Sequence, residues 1–175
     1  MRAGLVEAIP RLRAFARSLC GDRDRADDLV QETITRALAN RDKFQPGTNL
    51  NAWLVTILRN HFYSEGRKRR REVEDADGQF AARLADRPAQ DANLDMKDFT
   101  RALQTLPDEQ REALILIGAG GFSYEEVSEI SGVRVGTVKS RVSRARARLT
   151  ELLGGPPGET TEPPDTPLVA AGGRR

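Results

Sequence analysis

Between Ala26 and Leu38, apolar or small side chains recur every three or four residues: Ala26, Leu29, Val30, Thr33, Ile34, Ala37 and Leu38. That spacing places them on one face of an α-helix and is incompatible with the two-residue alternation of a half-buried strand. The same period runs from about Glu7 to Arg71 and again from Asp95 to Leu153. A chain written this way must bury helix against helix, so the fold class is all-α. Aromatic residues make up only 5% of the chain and hydrophobic residues 38%, too little for one large core. Two small helical domains joined by a flexible linker are expected.

The divisions follow from composition. Residues 1–71 form the first domain, a three-helix bundle. Its first helix carries Leu12, Phe15, Ala16 and Leu19, with Pro10 near its start because proline is tolerated only there, and ends at Gly21. The second holds the Ala26–Leu38 stripe. The third follows the Gln45-Pro46-Gly47 turn, with Thr48 or Asn49 as N-cap. It buries Leu50, Trp53, Leu54, Ile57, Leu58 and Phe62. Residues 72–93 are acidic and weakly apolar and read as the linker. Residues 94–153 form the second domain. Leu94, Phe99, Leu103 and Leu106 lead to Pro107, a helix from Asp108 to Ile117, and a stop at Gly118, Gly120 and Gly121. Residues 154–175 are rich in Pro and Gly and are expected to be disordered.

Several function classes are excluded at this level. The chain has one cysteine, Cys20, and one histidine, His61, so neither an internal disulfide nor a structural zinc site is available. No apolar run approaches the ~20 residues of a membrane span, and no signal-peptide core is present. A cytoplasmic protein with no cofactor and no metal is expected. The Gly118-Ala119-Gly120 loop follows an apolar run as a dinucleotide site would. Yet Ser123 holds the third glycine position, and Glu125 and Glu126 would repel a pyrophosphate. His61 has no nucleophile and acid set beside it, so an enzyme is not expected.

Charge segregation points instead to polyanions. The formal net charge is only +2, but Arg67, Lys68, Arg69, Arg70 and Arg71 form an unbroken basic run, expected to follow the third helix. Arg134, Lys139, Arg141, Arg144, Arg146 and Arg148 occupy a segment with no acid. That segment is the last part of a short helix, glycine turn and longer helix spanning Ser123 to Leu149, a helix-turn-helix plan. With Val138, Val142, Ala145 and Leu149 inward, the outer face holds Thr137, Lys139, Ser140, Arg141, Ser143 and Arg144, side chains that read base edges and grip phosphates. Arg148, further along, is expected on phosphates. On the third helix, Thr56, Asn60, Tyr63 and Arg67 are expected opposite the Trp53 stripe. An amide, a ring and a guanidinium beside basic residues suit unstacked bases. Asp27, Asp28, Gln31 and Glu32 form an acidic stripe. Spacing alone leaves it as solvated surface or as a dock for a basic partner. Asp28 and Glu32, one turn apart with no local basic partner assigned, favour a partner on another molecule.

These residues resemble a family. Asp27-Asp28-Leu29-Val30-Gln31-Glu32-Thr33 and Trp53-Leu54-Val55-Thr56-Ile57-Leu58-Arg59-Asn60 are similar to region 2 of the extracytoplasmic-function sigma factors. Leu106-Pro107-Asp108-Glu109-Gln110-Arg111-Glu112-Ala113, Phe122-Ser123-Tyr124-Glu125-Glu126-Val127 and Val135-Gly136-Thr137-Val138-Lys139-Ser140-Arg141 are similar to their region 4. The joint match covers about Pro10 to Leu153. Ser128 and Ser131 stand where that family usually has alanine and an apolar residue.

The resemblance implies roles. Asp27, Asp28, Gln31 and Glu32 would bind the β′ clamp of core RNA polymerase, with a second contact at the β flap. Thr56, Arg59, Asn60, Tyr63, Arg67 and Lys68 would engage the −10 element. Thr137, Lys139, Ser140, Arg141, Ser143, Arg144 and Arg148 would engage the −35 element. The Gly118–Phe122 segment is most similar to the general-stress-response group, called EcfG-type, whose members are held by a NepR-type anti-sigma protein. Two other classes fit less well. A stand-alone helix-turn-helix repressor would need a dimerisation element. A sigma-mimicking decoy of the response-regulator type would need a receiver domain.

Overall fold

The computed structural model describes residues 2–75 and 94–154. The linker expected at 72–93, apart from its first four residues, and the tail expected at 154–175, apart from Gly154, lie outside the described residues. Every regular element among those described is helical, and they form two compact units that divide between Lys97 and Asp98.

The first unit is a three-helix bundle. Helix α1 spans Arg2–Cys20, α2 Arg23–Ala39 and α3 Leu50–Asp75. Leu5, Ala8, Leu12, Phe15, Ala16 and Leu19 form the buried stripe of α1. Pro10 does not start this helix. It lies within it, on the exposed side, with Leu5 and Ala8 already buried upstream. An interior proline costs about 3 kcal/mol or more. Burial of one large apolar side chain returns about 1.5–3 kcal/mol, so the upstream turns can outweigh it.

Gly21, at φ 71°, turns the chain, and the Asp22 carboxylate caps α2 by accepting from the Arg25 amide at 2.7 Å. Ala26, Leu29, Val30, Thr33 and Ala37 are buried, and the Thr33 hydroxyl donates to the Leu29 carbonyl at 2.7 Å. Two residues of the expected stripe differ: Ile34 is half-buried and Leu38 is exposed. The stripe drifts around the helix, and Leu38 leaves the bundle at its last turn.

A single 3-10 turn, Arg41–Lys43, and Gly47, at φ 92°, lead into α3. Asn49 is its cap, accepting from the Ala52 amide at 3.2 Å, while the Thr48 hydroxyl donates to the Gln45 carbonyl. The core face of α3 is Leu54, Val55, Leu58 and Phe62. Trp53 is not part of it. The helix also runs past its expected end, so the basic run Arg67–Arg71 lies on it rather than after it, and residues 72–75 are helical.

The second unit contains α4 (Leu94–Gln104) from Asp98 on, α5 (Asp108–Gly118), α6 (Tyr124–Ser131) and α7 (Val135–Leu152). Ala102, Leu103 and Leu106 are buried, whereas Phe99, grouped with Leu103 and Leu106 in the sequence, is 39% exposed. Arg111 ties the end of α4 to α5. Its guanidinium is buried and donates to the Gln104 and Leu106 carbonyls at 3.1 and 3.2 Å and to the Asp108 carboxylate. Helix α5 packs on α7 and α6, and α6 packs on α7.

Candidate nucleic-acid interface

The local chemistry of residues 123–135 fixes how α7 is presented. Ser123 and Glu126 form a reciprocal capping box. The Ser123 hydroxyl accepts from the Glu126 amide at 3.1 Å, and the Glu126 carboxylate accepts from the Ser123 amide at 2.9 Å. Gly132 ends α6 in the left-handed region at φ 69°, which a side chain adopts only under strain. Ser128 and Ser131, polar where apolar residues are usual in the resembled family, are both satisfied. Ser128 donates to the Val133 carbonyl at 2.6 Å, pinning the turn, and Ser131 to the Val127 carbonyl at 2.5 Å.

Helix α7 buries Val138, Val142, Ala145 and Leu149, the four residues expected inward. Thr137, Lys139, Ser143, Arg144 and Arg148 are exposed. Ser140 is half-buried, its hydroxyl donating to the Thr137 carbonyl at 2.9 Å, so it faces outward only as an acceptor. Arg141 is not on the outer face. Its side chain is 18% exposed and meets Glu109 of α5 at 3.4 Å. It flanks the buried stripe and reaches across the helix pair to that carboxylate, which is itself exposed. Arg148 pairs with Glu151 at 2.9 Å, while Arg144 makes no ion pair among the described residues. Arg134 and Arg146, which the spacing argument left out of the reading set, are exposed as well. The signal for Arg146 was its place seven residues after Lys139.

On α3 the structure changes one assignment. Trp53, Ile57 and Asn60 stand at i, i+4 and i+7 and line one cavity of about 260 Å3 with Arg36, Asn40 and Lys43. Asn60 therefore lies beside Trp53, not opposite it. What it opposes is the true core face, Leu54, Val55, Leu58 and Phe62. The Phe44 ring packs against Trp53 at 5.3 Å between centroids. The cavity combines an indole, two amides and two cations, a set suited to a flat polar ring next to a phosphate. Arg59 donates to the Asn60 amide oxygen at 3.2 Å and lies 5.0 Å from the Tyr63 ring. Asn60 itself is exposed. Thr56 is half-buried, and its hydroxyl donates to the Ala52 carbonyl at 2.8 Å. Arg67 is exposed, as is Lys68, which reaches Glu72 at 3.8 Å.

The acidic stripe of α2 is less bare than its spacing suggested. Asp27 accepts from Arg13 at 2.9 Å, with Arg17 at 3.9 Å. Glu32 pairs with Arg36 at 2.6 Å, so the expectation of no local basic partner, made for Asp28 and Glu32, fails for Glu32. The Arg36 hydrogen bond holds the Glu32 carboxyl below its ordinary range. The stability from that pair is present above the usual carboxylate pKa and is lost as pH falls through the lowered one. Asp28 and Gln31 remain exposed, and Asp28 makes no ion pair among the described residues. No cluster of metal-ligating side chains and no helix long and apolar enough to cross a membrane occurs among them.

With this geometry in place, similarity to known proteins is specific. Residues 5–72 match the family Sigma-70 region 2, and residues 96–149 match Sigma-70, region 4. The chain is 58% identical over 173 residues to the ECF RNA polymerase sigma factor EcfG of Rhodopseudomonas palustris, covering 99% of this chain and 96% of that protein. It is 30% identical over 146 residues to the RNA polymerase sigma factor CarQ of Myxococcus xanthus, covering 83% and 84%. Among solved structures it is similar to the sigma factor RpoE of Bartonella quintana, seen in complex with the anti-sigma factor NepR. That match has a TM-score of 0.79 and 56% identity, and covers 87% of this chain and 96% of that one. Two helical units with these motifs in this order, matched nearly end to end, place the chain in the family of extracytoplasmic-function sigma factors.

Proposed function

We propose that this sigma factor brings core RNA polymerase to promoters through three surfaces on its own chain. The exposed Asp28 and Gln31, flanked by the paired Asp27 and Glu32, dock the β′ clamp. The Trp53–Asn60 cavity takes a base unstacked from the −10 element, with Arg59 and Tyr63 orienting the amide and Arg67 and Lys68 on the adjoining phosphates. The outer face of α7 enters the major groove at the −35 element through Thr137, Lys139, Ser143 and Arg144. Ser140 acts as an acceptor, Arg148 contacts phosphate, and Arg141 braces α7 from behind. The protein acts in the cytoplasm by binding rather than by catalysis. Its similarity to a sigma factor crystallised with NepR supports control by a small anti-sigma protein of that type, and with it a stress-response role.

One observation carries this reading. A single chain holds both a helix, α7, with an exposed basic face, and a cavity lined by Trp53 and Asn60 of α3 with Arg36, Asn40 and Lys43, a set suited to an unstacked base. A repressor uses the first and has no use for the second. The test is Asn60→Ala. Asn60 is exposed and supports no core contact, so the variant should bind core polymerase and the −35 element normally. Permanganate reactivity of thymines near −10 should fall sharply, because the captured base loses its partner. Equal loss of polymerase binding would assign Asn60 a folding role instead.

A further inference from the structure

Lys139 and Tyr124 face each other across the helix-turn-helix. The Lys139 ammonium lies 5.5 Å from the centroid of the Tyr124 ring. That is within the ~6 Å at which a ring face attracts a cation. The two partners differ in freedom. Tyr124 is the first residue of α6, inside the Ser123–Glu126 capping box, and is only 8% exposed. Its neighbours Val127 and Ile130 are buried with it. The ring is therefore fixed by packing. Lys139 is exposed, and a lysine stem is flexible, with several rotatable bonds and a compact charge at its tip.

We propose that Tyr124 is a positioning residue for −35 recognition: its ring face holds the Lys139 ammonium in place before DNA arrives, and so sets which base Lys139 can read. The inference deepens the assignment of α7 as the −35 reader and rests on it. A ring face engages the charge of an ammonium without consuming its N–H donors. Those donors stay free for guanine O6 and N7 in the major groove. A side chain held before binding loses less freedom on binding, and a misplaced base is discriminated by position rather than by charge alone. Arg144, also exposed on α7, reads with a rigid guanidinium fork and needs less help. Base preference at the Lys139 position therefore depends on a residue packed inside the domain.

The test uses the full chain with core RNA polymerase on a promoter library randomised at the −35 element, read by sequencing the transcripts. Lys139→Ala should flatten the base preference at one or two positions. Tyr124→Leu should flatten the same positions by about two- to fivefold, the size of an exposed cation–π contact. Tyr124→Phe, which keeps the ring face, should retain the profile. Phenylalanines fluorinated progressively at position 124 drain charge from that face at nearly constant shape, and should lower the preference in step. In a Lys139→Ala background, none of these changes should matter further. A profile flattened by Lys139→Ala but indifferent to fluorination would overturn the inference and leave α7 as the reader. Flattening by Tyr124→Leu that persists without Lys139 would also overturn it, since Tyr124 would then act through folding. If Lys139→Ala itself changes nothing, the −35 assignment of Lys139 fails, and the inference falls with it.

Discussion

Arg141 and Arg144 stand three residues apart on one helix and do different work. Arg144 is exposed and without an ion pair among the described residues, whereas Arg141 lies against Glu109 with little of its side chain in solvent. Arg144→Ala should therefore weaken −35-dependent transcription by about 1–3 kcal/mol if it contacts a base with both nitrogens. Arg141→Ala should leave the −35 base profile intact and lower stability by less than about 1 kcal/mol, because Glu109 is 61% exposed and the pair is partly screened. Transcription from −35 variants and a thermal melt separate the two. Periodicity places both arginines off the buried stripe, and composition calls both DNA ligands. Only the packing of α5 on α7 brings Glu109 within reach of one of them. Trp53 illustrates the opposite error. Its hydrophobicity assigns it to the core, yet its seven-residue spacing to Asn60 already puts the two on one side. The Glu32–Arg36 pair was visible in principle as i, i+4, while Arg13 and Asp27 sit fourteen residues apart on different helices and meet only through the bundle.

Elements were more legible than contacts. The inward residues of α7, the Ser123–Glu126 capping box and the glycine turn all follow from spacing and local hydrogen-bonding chemistry. Those signals act within one or two turns and do not depend on the rest of the fold. Boundaries were less legible. Proline chemistry argues for starting α1 near Pro10, but the added burial of Leu5 and Ala8 outweighs it. Charge argues for ending α3 before its basic run. Yet arginine and lysine are good helix formers, and Glu65–Arg69 and Lys68–Glu72 pairs support the extension. The Gly132 turn sets where α7 begins relative to α6. Gly132→Ala should cost about 1–2 kcal/mol, because a Cβ is strained at φ 69°, although open space surrounds the position. The loss should appear as a lower melting temperature for the second unit, with transcription recovering at reduced temperature. A variant as stable as the parent would mean that the turn tolerates another backbone path.

At the scale of the whole molecule, the chain forms two compact units, and the proposed function assigns a nucleic-acid surface to each. Each surface is small, and one helix face or one cavity gives weak and salt-dependent binding by itself. In the proposed reading, polymerase would supply the alignment that turns two weak contacts into one strong one. The family was legible from the joint order of short motifs, because each motif answers a separate physical demand: an exposed acid stripe, an amide beside rings, and an acid-free helix face. The cavity was not legible, since it needs α2, the 3-10 turn and α3 assembled together. The central claim is that this chain steers core polymerase to promoters through these surfaces. Genome-wide mapping of transcription starts in vitro, with core RNA polymerase and the full chain, tests it most directly. The account predicts chain-dependent starts sharing a −10 and a −35 element at fixed spacing, all lost with Asp28→Lys, whose side chain is solvent-facing and outside the core. Starts that do not depend on the chain, or that persist undiminished with a folded Asp28→Lys variant, would contradict it.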